Sequence, residues 1–223
     1  MTYVIANPCG NAQKFQELLK TIHFSDSDTL YVIGNLVDFG PDPIGLVEEL
    51  SYSANIYPVA GERDFLAAQL LSGFEKMNSG KTPDPNFVSE MSDWVRDGGL
   101  PTMEGFRALD ADGREGILEY LGDMALYEEV SVKGKNFILV YAGISGFEKG
   151  DDPADFLPDD FFSEPLAKNI RLFDDTTVIV GGVPTESGKI ERGEGSIYLD
   201  CGAKDGGPLA ALCLETGEEF YTA

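Results

Sequence analysis

Histidine is nearly absent from this chain: 223 residues hold one, His23, and it follows an apolar helical stretch rather than lying in any loop that carries other chemistry. A metal centre that draws several imidazoles together is therefore not available. Histidine-assisted nucleophilic hydrolysis is equally disfavoured, because Cys9 follows Pro8 with no histidine in the loops around it and no G-x-S-x-G elbow occurs. Cysteine is scarce too. Cys9, Cys201 and Cys213 form no C-x-x-C pair, which argues against a zinc motif, and His23 reads instead as a partly buried structural residue. The odd cysteine count points to free thiols and a reducing, cytoplasmic setting, with Cys213 expected in the core because it lies inside the apolar run Leu209 to Leu214. Positive charge is short as well: 16 Lys and Arg face 39 Asp and Glu, a net charge of −23. Nucleic acid and anionic membrane surfaces are then poor partners, since both are bound through clustered lysine and arginine. The acidity reads first as a source of solubility, and it is compatible with a basic protein partner. No apolar run is long enough to span a bilayer, no charged-then-apolar leader opens the chain, and no internal repeat or low-complexity tract occurs.

What is present is a strand-loop-helix skeleton. Tyr3-Val4-Ile5, Tyr31-Val32-Ile33 and Tyr57-Pro58-Val59 are β-branched or aromatic runs, each leading into a glycine-bearing loop. After Asn7-Pro8-Cys9-Gly10 the residues Phe15, Leu18, Leu19 and Ile22 recur at the helical period, with Asn11 as the cap. After Gly34 to Gly40, Asp42 caps a helix with Pro43 in its first turn and Ile44, Val47 and Leu50 inward. After Gly61-Glu62-Arg63, Asp64 reads as the cap of a third helix carrying Phe65, Leu66, Leu70 and Phe74. Such βαβ units place their polar loop residues together at the carboxyl ends of neighbouring strands.

In order and spacing these loops resemble the calcineurin-like metallophosphoesterases, in the branch of small serine/threonine protein phosphatases. That family reads G-D-x-H-G, G-D-x-V-D-R-G, G-N-H-[DE], H-A-G and G-H-T. The counterparts here are Ala6-Asn7-Pro8-Cys9-Gly10, Gly34 to Gly40, Gly61-Glu62-Arg63-Asp64, Tyr141-Ala142-Gly143 and Gly181-Gly182-Val183. Trp94 to Thr102, with Gly98-Gly99, is similar to a W-x-x-N-G-G-x-x-T segment, and the tail Leu199-Asp200-Cys201-Gly202 followed by Gly206 to Leu212 also matches. The resemblance covers nearly the whole chain. It implies an α/β fold, a two-sheet β-sandwich flanked by helices, in a single domain over residues 1–223.

Carried over position by position, the resemblance puts Asn7 and Cys9 where the family has an aspartate and a histidine ligand, and Asn35 where it has the aspartate that bridges both metals. Glu62 replaces an asparagine ligand, while Tyr141 and Gly182 replace two histidine ligands. Arg63 stands at the histidine that assists the leaving group, and Asp38 matches the carboxylate that orients it. Phe39 stands where an arginine would hold phosphate, and Glu164 aligns with a second such arginine. Asp64 keeps the acidic position of its motif.

The family would use two divalent ions such as manganese or iron; here none is expected. Two such ions let several carboxylates share a small volume and ionise the attacking water. Asn7 and Asn35 keep the shape of aspartate without its charge, and Arg63 supplies a positive one. Loops that drifted after activity was lost explain the pattern as well as a selected, metal-free polar core does. Asn7, Asn35, Asp38, Glu62 and Asp64 could offer oxygens to one magnesium or calcium ion, but Arg63 opposes a cation there. The expected function is that of a pseudophosphatase, a binding or regulatory protein with an unknown protein or small-molecule partner. The alternatives are a phosphoesterase with a rebuilt or single-metal site acting on phosphomonoesters or phosphoproteins, and a sensor holding an anionic ligand on Arg63, which the residues at Phe39 and Glu164 weigh against. Arg63 is expected to turn inward toward Asp38, with Glu62 as a second carboxylate, in a charge-assisted, bidentate pair; the alternative is that it swings out to solvent.

Residues from about 73 to 127 read as a helical insertion on the rim of the site, with Ser79 to Asn86 separating short amphipathic pieces such as Phe87 to Trp94. Asp151 to Asp160 reads as an acidic surface loop in which Phe156 and Leu157 anchor the chain or meet a partner. Phe137 to Val140, Thr177 to Val180, Ile197 to Leu199 and Leu209 to Leu214 read as strands of a second sheet, the last turning through Glu215 to Glu218 into Phe220-Tyr221 as a hairpin.

Overall fold

The computed structural model describes residues 1–82 and 85–223; Pro83 and Asp84, within the stretch read as a separator, lie outside the described residues. Among the described residues ten strands form two mixed five-stranded sheets. The first is built around three parallel strands, β1 (Thr2–Ala6), β2 (Thr29–Ile33) and β3 (Ile56–Val59). Helices α1 (Ala12–Thr21) and α2 (Pro43–Ser51) connect them. Asn11 caps α1 through Lys14 N–H, and Asp42 caps α2 through Gly45 N–H with Pro43 at the first position, as the sequence indicates.

In chain order, β3 is followed by a run of helices before the second sheet begins: α3 (Glu62–Asn78), α4 (Phe87–Trp94), α5 (Leu100–Ala108) and α6 (Ala111–Gly122). The helical region therefore starts at residue 62 and ends before 123, and α3 runs unbroken through position 73. Asp64 is not the cap of α3. It occupies the third helical position and its Oδ2 accepts the N–H of the capping residue, Gly61, at 3.0 Å.

The second sheet follows the order β4 (Tyr127–Val132), β5 (Lys135–Val140), β6 (Thr176–Pro184), β8 (Ser196–Asp200), β7 (Glu191–Arg192). Two expectations need correction. Tyr127 begins a strand rather than ending the helical region, and β9 (Ala210–Cys213) belongs to the first sheet, where it pairs antiparallel with β1 and with β10 (Glu219–Tyr221). The hairpin itself is present. Side chains on alternate faces explain the layering. Val4, Ala6, Ile33, Leu139, Ile179 and Leu212 fill the space between the sheets. Tyr3, Ile5, Leu30 and Val32 face the helices, and Ile138, Val140, Val178 and Tyr198 face the long segment that carries Phe161 and Leu166. Cys9, Cys201 and Cys213 are buried free thiols. His23 is exposed at φ 51°, in the left-handed region, and not partly buried: the helix ends at Thr21 and the chain reverses there. In the acidic loop Phe156 packs on Phe147 with ring centroids 5.6 Å apart, whereas Leu157 is exposed.

Candidate functional site

The β1–α1 and β2–α2 loops are clamped together by backbone. Cys9 N–H donates to Asn35 O and Gly10 N–H to Leu36 O, both at 2.8 Å, while Asn7 N–H donates to Ile33 O at 3.0 Å. A Cβ on Gly40 would meet Cys9 O at 2.3 Å, so this crossing demands glycine. Four non-glycine residues of these two loops, Asn7, Cys9, Asp38 and Phe39, hold φ between 47° and 68°. Backbone held in that region by its surroundings is a feature of functional sites. Asp64 pins the second loop to α3, its Oδ1 accepting Leu36 N–H at 2.7 Å and Val37 N–H at 3.1 Å.

Asn7, Cys9, Asn35, Phe39, Glu62, Arg63, Tyr141 and Gly182 line one pocket of about 320 Å³, together with Asp97, Pro184, Asp200, Gly202, Lys204 and Asp205. Asp38 and Asp64 lie beneath it, fully buried, and Glu164 is exposed outside it. Arg63 turns inward. Its Nε donates to Asp38 Oδ2 at 2.6 Å, and its terminal nitrogens donate to Asp97 Oδ2 and Asp97 O, both at 2.9 Å. The second partner is thus Asp97 rather than Glu62, and the contact with Asp38 is single rather than bidentate. The reason is that Asp38 is already engaged: Trp94 Nε1 donates to its Oδ2 at 2.8 Å and the Thr102 hydroxyl to its Oδ1 at 2.6 Å. A buried carboxylate with three donors, one of them a cation, is well compensated.

The two asparagines are committed as well. Asn35 Nδ2 donates to the Tyr141 hydroxyl at 2.9 Å, and Asn35 Oδ1 accepts Arg63 backbone N–H at 3.0 Å. Asn7 Nδ2 donates to Asp200 Oδ2 at 2.8 Å, while its buried Oδ1 has no partner. Each of the side-chain bonds, Asn35 to Tyr141 and Asn7 to Asp200, joins the first sheet to the second. Phe39 lies under two cations, Lys204 Nζ 3.9 Å and Arg63 Cζ 5.2 Å from its ring centroid.

Burial sets the electrostatics. Desolvation, then the Asp200 carboxylate, pushes the Cys9 thiol up, so it is held as the unreactive neutral form. Burial raises the Tyr141 phenol, against the hydrogen bond from Asn35, and raises Asp200 against those from Gly202 and Asn7. Asp64 rises from 3.8 to about 7, again through desolvation opposed by its backbone donors.

Sequence reasoning missed Asp97, Asp200 and Lys204 as site residues, and Trp94 and Thr102 as the seat of Asp38. Four of the five lie in segments noted for their glycines and Lys204 falls between two such segments; Trp94 and Thr102 bracketing Gly98-Gly99 were the available signal.

The resemblance implies two ions at these positions, and the donor set tests the fit. Among the positions that correspond to ligands, Gly182 offers no side chain, Asn7 turns its amide nitrogen to Asp200, and Asn35 has both amide atoms engaged within the protein. A guanidinium sits on the carboxylate beneath. Among the described residues no group of three or more His, Cys, Asp or Glu could hold a metal ion. As a set of ligands these residues do not fit a two-metal centre.

No protein-family model matches the chain. The symmetrical bis(5'-nucleosyl)-tetraphosphatase of Acidovorax sp. (strain JS42) is 28% identical over 144 residues, 64% of this chain and 43% of that protein. The chain therefore matches less than half of that relative's length. A solved structure assigned provisionally as a diadenosine tetraphosphatase aligns over 99% of this chain and 92% of its own, with a TM-score of 0.69 and 19% identity. The metallophosphoesterase from Sphaerobacter thermophilus aligns over 100% and 88%, with a TM-score of 0.57 and 15% identity. The cold-active protein-tyrosine phosphatase of a psychrophilic Shewanella species does so over 100% and 80%, with 0.54 and 14%.

Proposed function

We propose that this chain, whose fold is that of the calcineurin-like metallophosphoesterases, is a pseudophosphatase: a protein that binds or regulates through the old catalytic face and does not hydrolyse phosphoesters. One observation carries the reading, the seat of Arg63 on Asp38 while its backbone N–H is held by Asn35, an asparagine that stands at a ligand position. Metallophosphoesterase chemistry needs ions at the ligand positions to polarise the phosphoryl group and ionise water; a guanidinium cannot ionise water, and this one is already engaged by Asp38 and Asp97. Phe39, at the position of a phosphate-holding arginine, removes a second source of transition-state stabilisation. The reading includes a cytoplasmic setting and a protein or small-molecule partner, with nucleic acid and membrane surfaces disfavoured by the net charge of −23. No helix among the described residues is long and apolar enough to cross a membrane.

Turnover tests it. With manganese present, hydrolysis of p-nitrophenyl phosphate, a phosphopeptide and a bis(5'-nucleosyl) tetraphosphate is expected to equal the buffer rate. Turnover that disappears in Asn35→Ala, in a preparation free of contaminating phosphatase, would establish a rebuilt active site instead.

A further inference from the structure

Two of the altered ligand positions, 141 and 182, answer each other in volume. A Cβ built on Gly182 would lie 2.3 Å from Tyr141 Cε2 and 2.4 Å from its Cζ, closer than real Cβ contacts come. A Cβ on Gly34 would lie 2.4 Å from Tyr141 Cδ2, so the phenol ring is enclosed by two glycines from opposite sheets. It packs edge-on against Phe162 with centroids 5.9 Å apart, and Tyr141 as a whole is 8% exposed. Its hydroxyl, at the end of β5, accepts the Asn35 amide from the end of β2.

We infer that Tyr141 and Gly182 are a compensated pair: the side chain forgone at 182 makes the room that the phenol fills, and the phenol fastens the two sheets together at the site in place of an ion. This rests on the metal-free reading above and goes past it by assigning the residue that takes the ions' place and the residue that admits it. A side chain at 182 and the ring at 141 exclude each other. The pocket in front of the ring thereby keeps its shape without a cation.

A double-mutant cycle in thermal unfolding tests the pairing, run with the full chain. Gly182 has no left-handed φ, so alanine is sterically resisted by the ring rather than by the backbone. Gly182→Ala is expected to lower Tm by about 3–9 °C in the parent, the usual range for overpacking in a domain of this size, and by less than about 1 °C in Tyr141→Ala. Tyr141→Val replaces Tyr141→Ala in the cycle if the latter does not fold. In Tyr141→Phe, which keeps the ring, the full penalty of Gly182→Ala must persist. An equal penalty in the presence and absence of the ring, or its loss in Tyr141→Phe, overturns the pairing. Failure of the underlying reading shows differently, as a manganese-dependent rise in the Tm of the parent.

Discussion

The two halves of the site differ in opposite ways from the metallophosphoesterase pattern that the sequence resembles. In the half on the first sheet, shape is kept and charge is changed: Asn7, Cys9, Asp38 and Phe39 hold left-handed backbone, and asparagine stands in for aspartate. In the half on the second sheet, shape itself is changed: a phenol fills the space at Tyr141 and nothing projects from Gly182. The first half is neutralised and the second is filled. On the metal-free reading proposed above both are needed, because removing carboxylate repulsion does not by itself hold two sheets together, and filling a cavity does not discharge a carboxylate.

The largest effect should come from breaking the charged floor. Arg63→Ala leaves the Asp38 carboxylate buried with only neutral donors, and is expected to cost about 2–4 kcal/mol in urea unfolding. Arg63→Lys should recover part of this, since one ammonium cannot reach both Asp38 and Asp97 in the way the guanidinium fork does. A variant as stable as the parent would favour simple drift over a selected polar core.

A smaller effect is expected where the neutralised half meets the second sheet. Asn7→Asp removes the donor to Asp200 and puts a like charge beside a carboxylate that burial already disfavours. The expected cost is about 1–3 kcal/mol at pH 7.5, shrinking as acid protonates one member of the pair. Urea unfolding at pH 7.5 and 5 checks it, and a cost independent of pH would mean that repulsion is not the cause.

The smallest effect per pH unit is the pH dependence contributed by Asp64. Its folded-state value of about 7 lies above the ordinary 3.8, so the folded form holds the proton more tightly. The contribution is fully present below 3.8 and is lost as pH rises through about 7. Between those limits the parent should lose at most about 1.4 kcal/mol per pH unit from this group. Asp64→Asn should lack that slope, and identical profiles would assign the pH dependence elsewhere.

Much of the first half was legible in the sequence. The three apolar runs with their glycine loops gave β1 to β3 and their order, and the charge of Arg63 beside a matched Asp38 indicated the ion pair. Its second partner, Asp97, was not legible, because it comes from a wide turn, Val95–Gly99, whose path depends on Gly98 at φ 97°. The second half was harder to read. Alternation shows that Leu209 to Leu214 is a strand but not which sheet it joins, and the two glutamates of Tyr127–Val132 hide a strand whose inward residues are Val130 and Val132. The exchange of volume between Tyr141 and Gly182 joins positions 41 residues apart and exists only once β5 and β6 pair in parallel.

Metal content tests the central claim most directly. After loading with manganese and desalting, elemental analysis of the parent should find well under one equivalent of manganese, iron or zinc per chain. One equivalent or more, lost in Asn35→Ala, would contradict it and restore a working metal site.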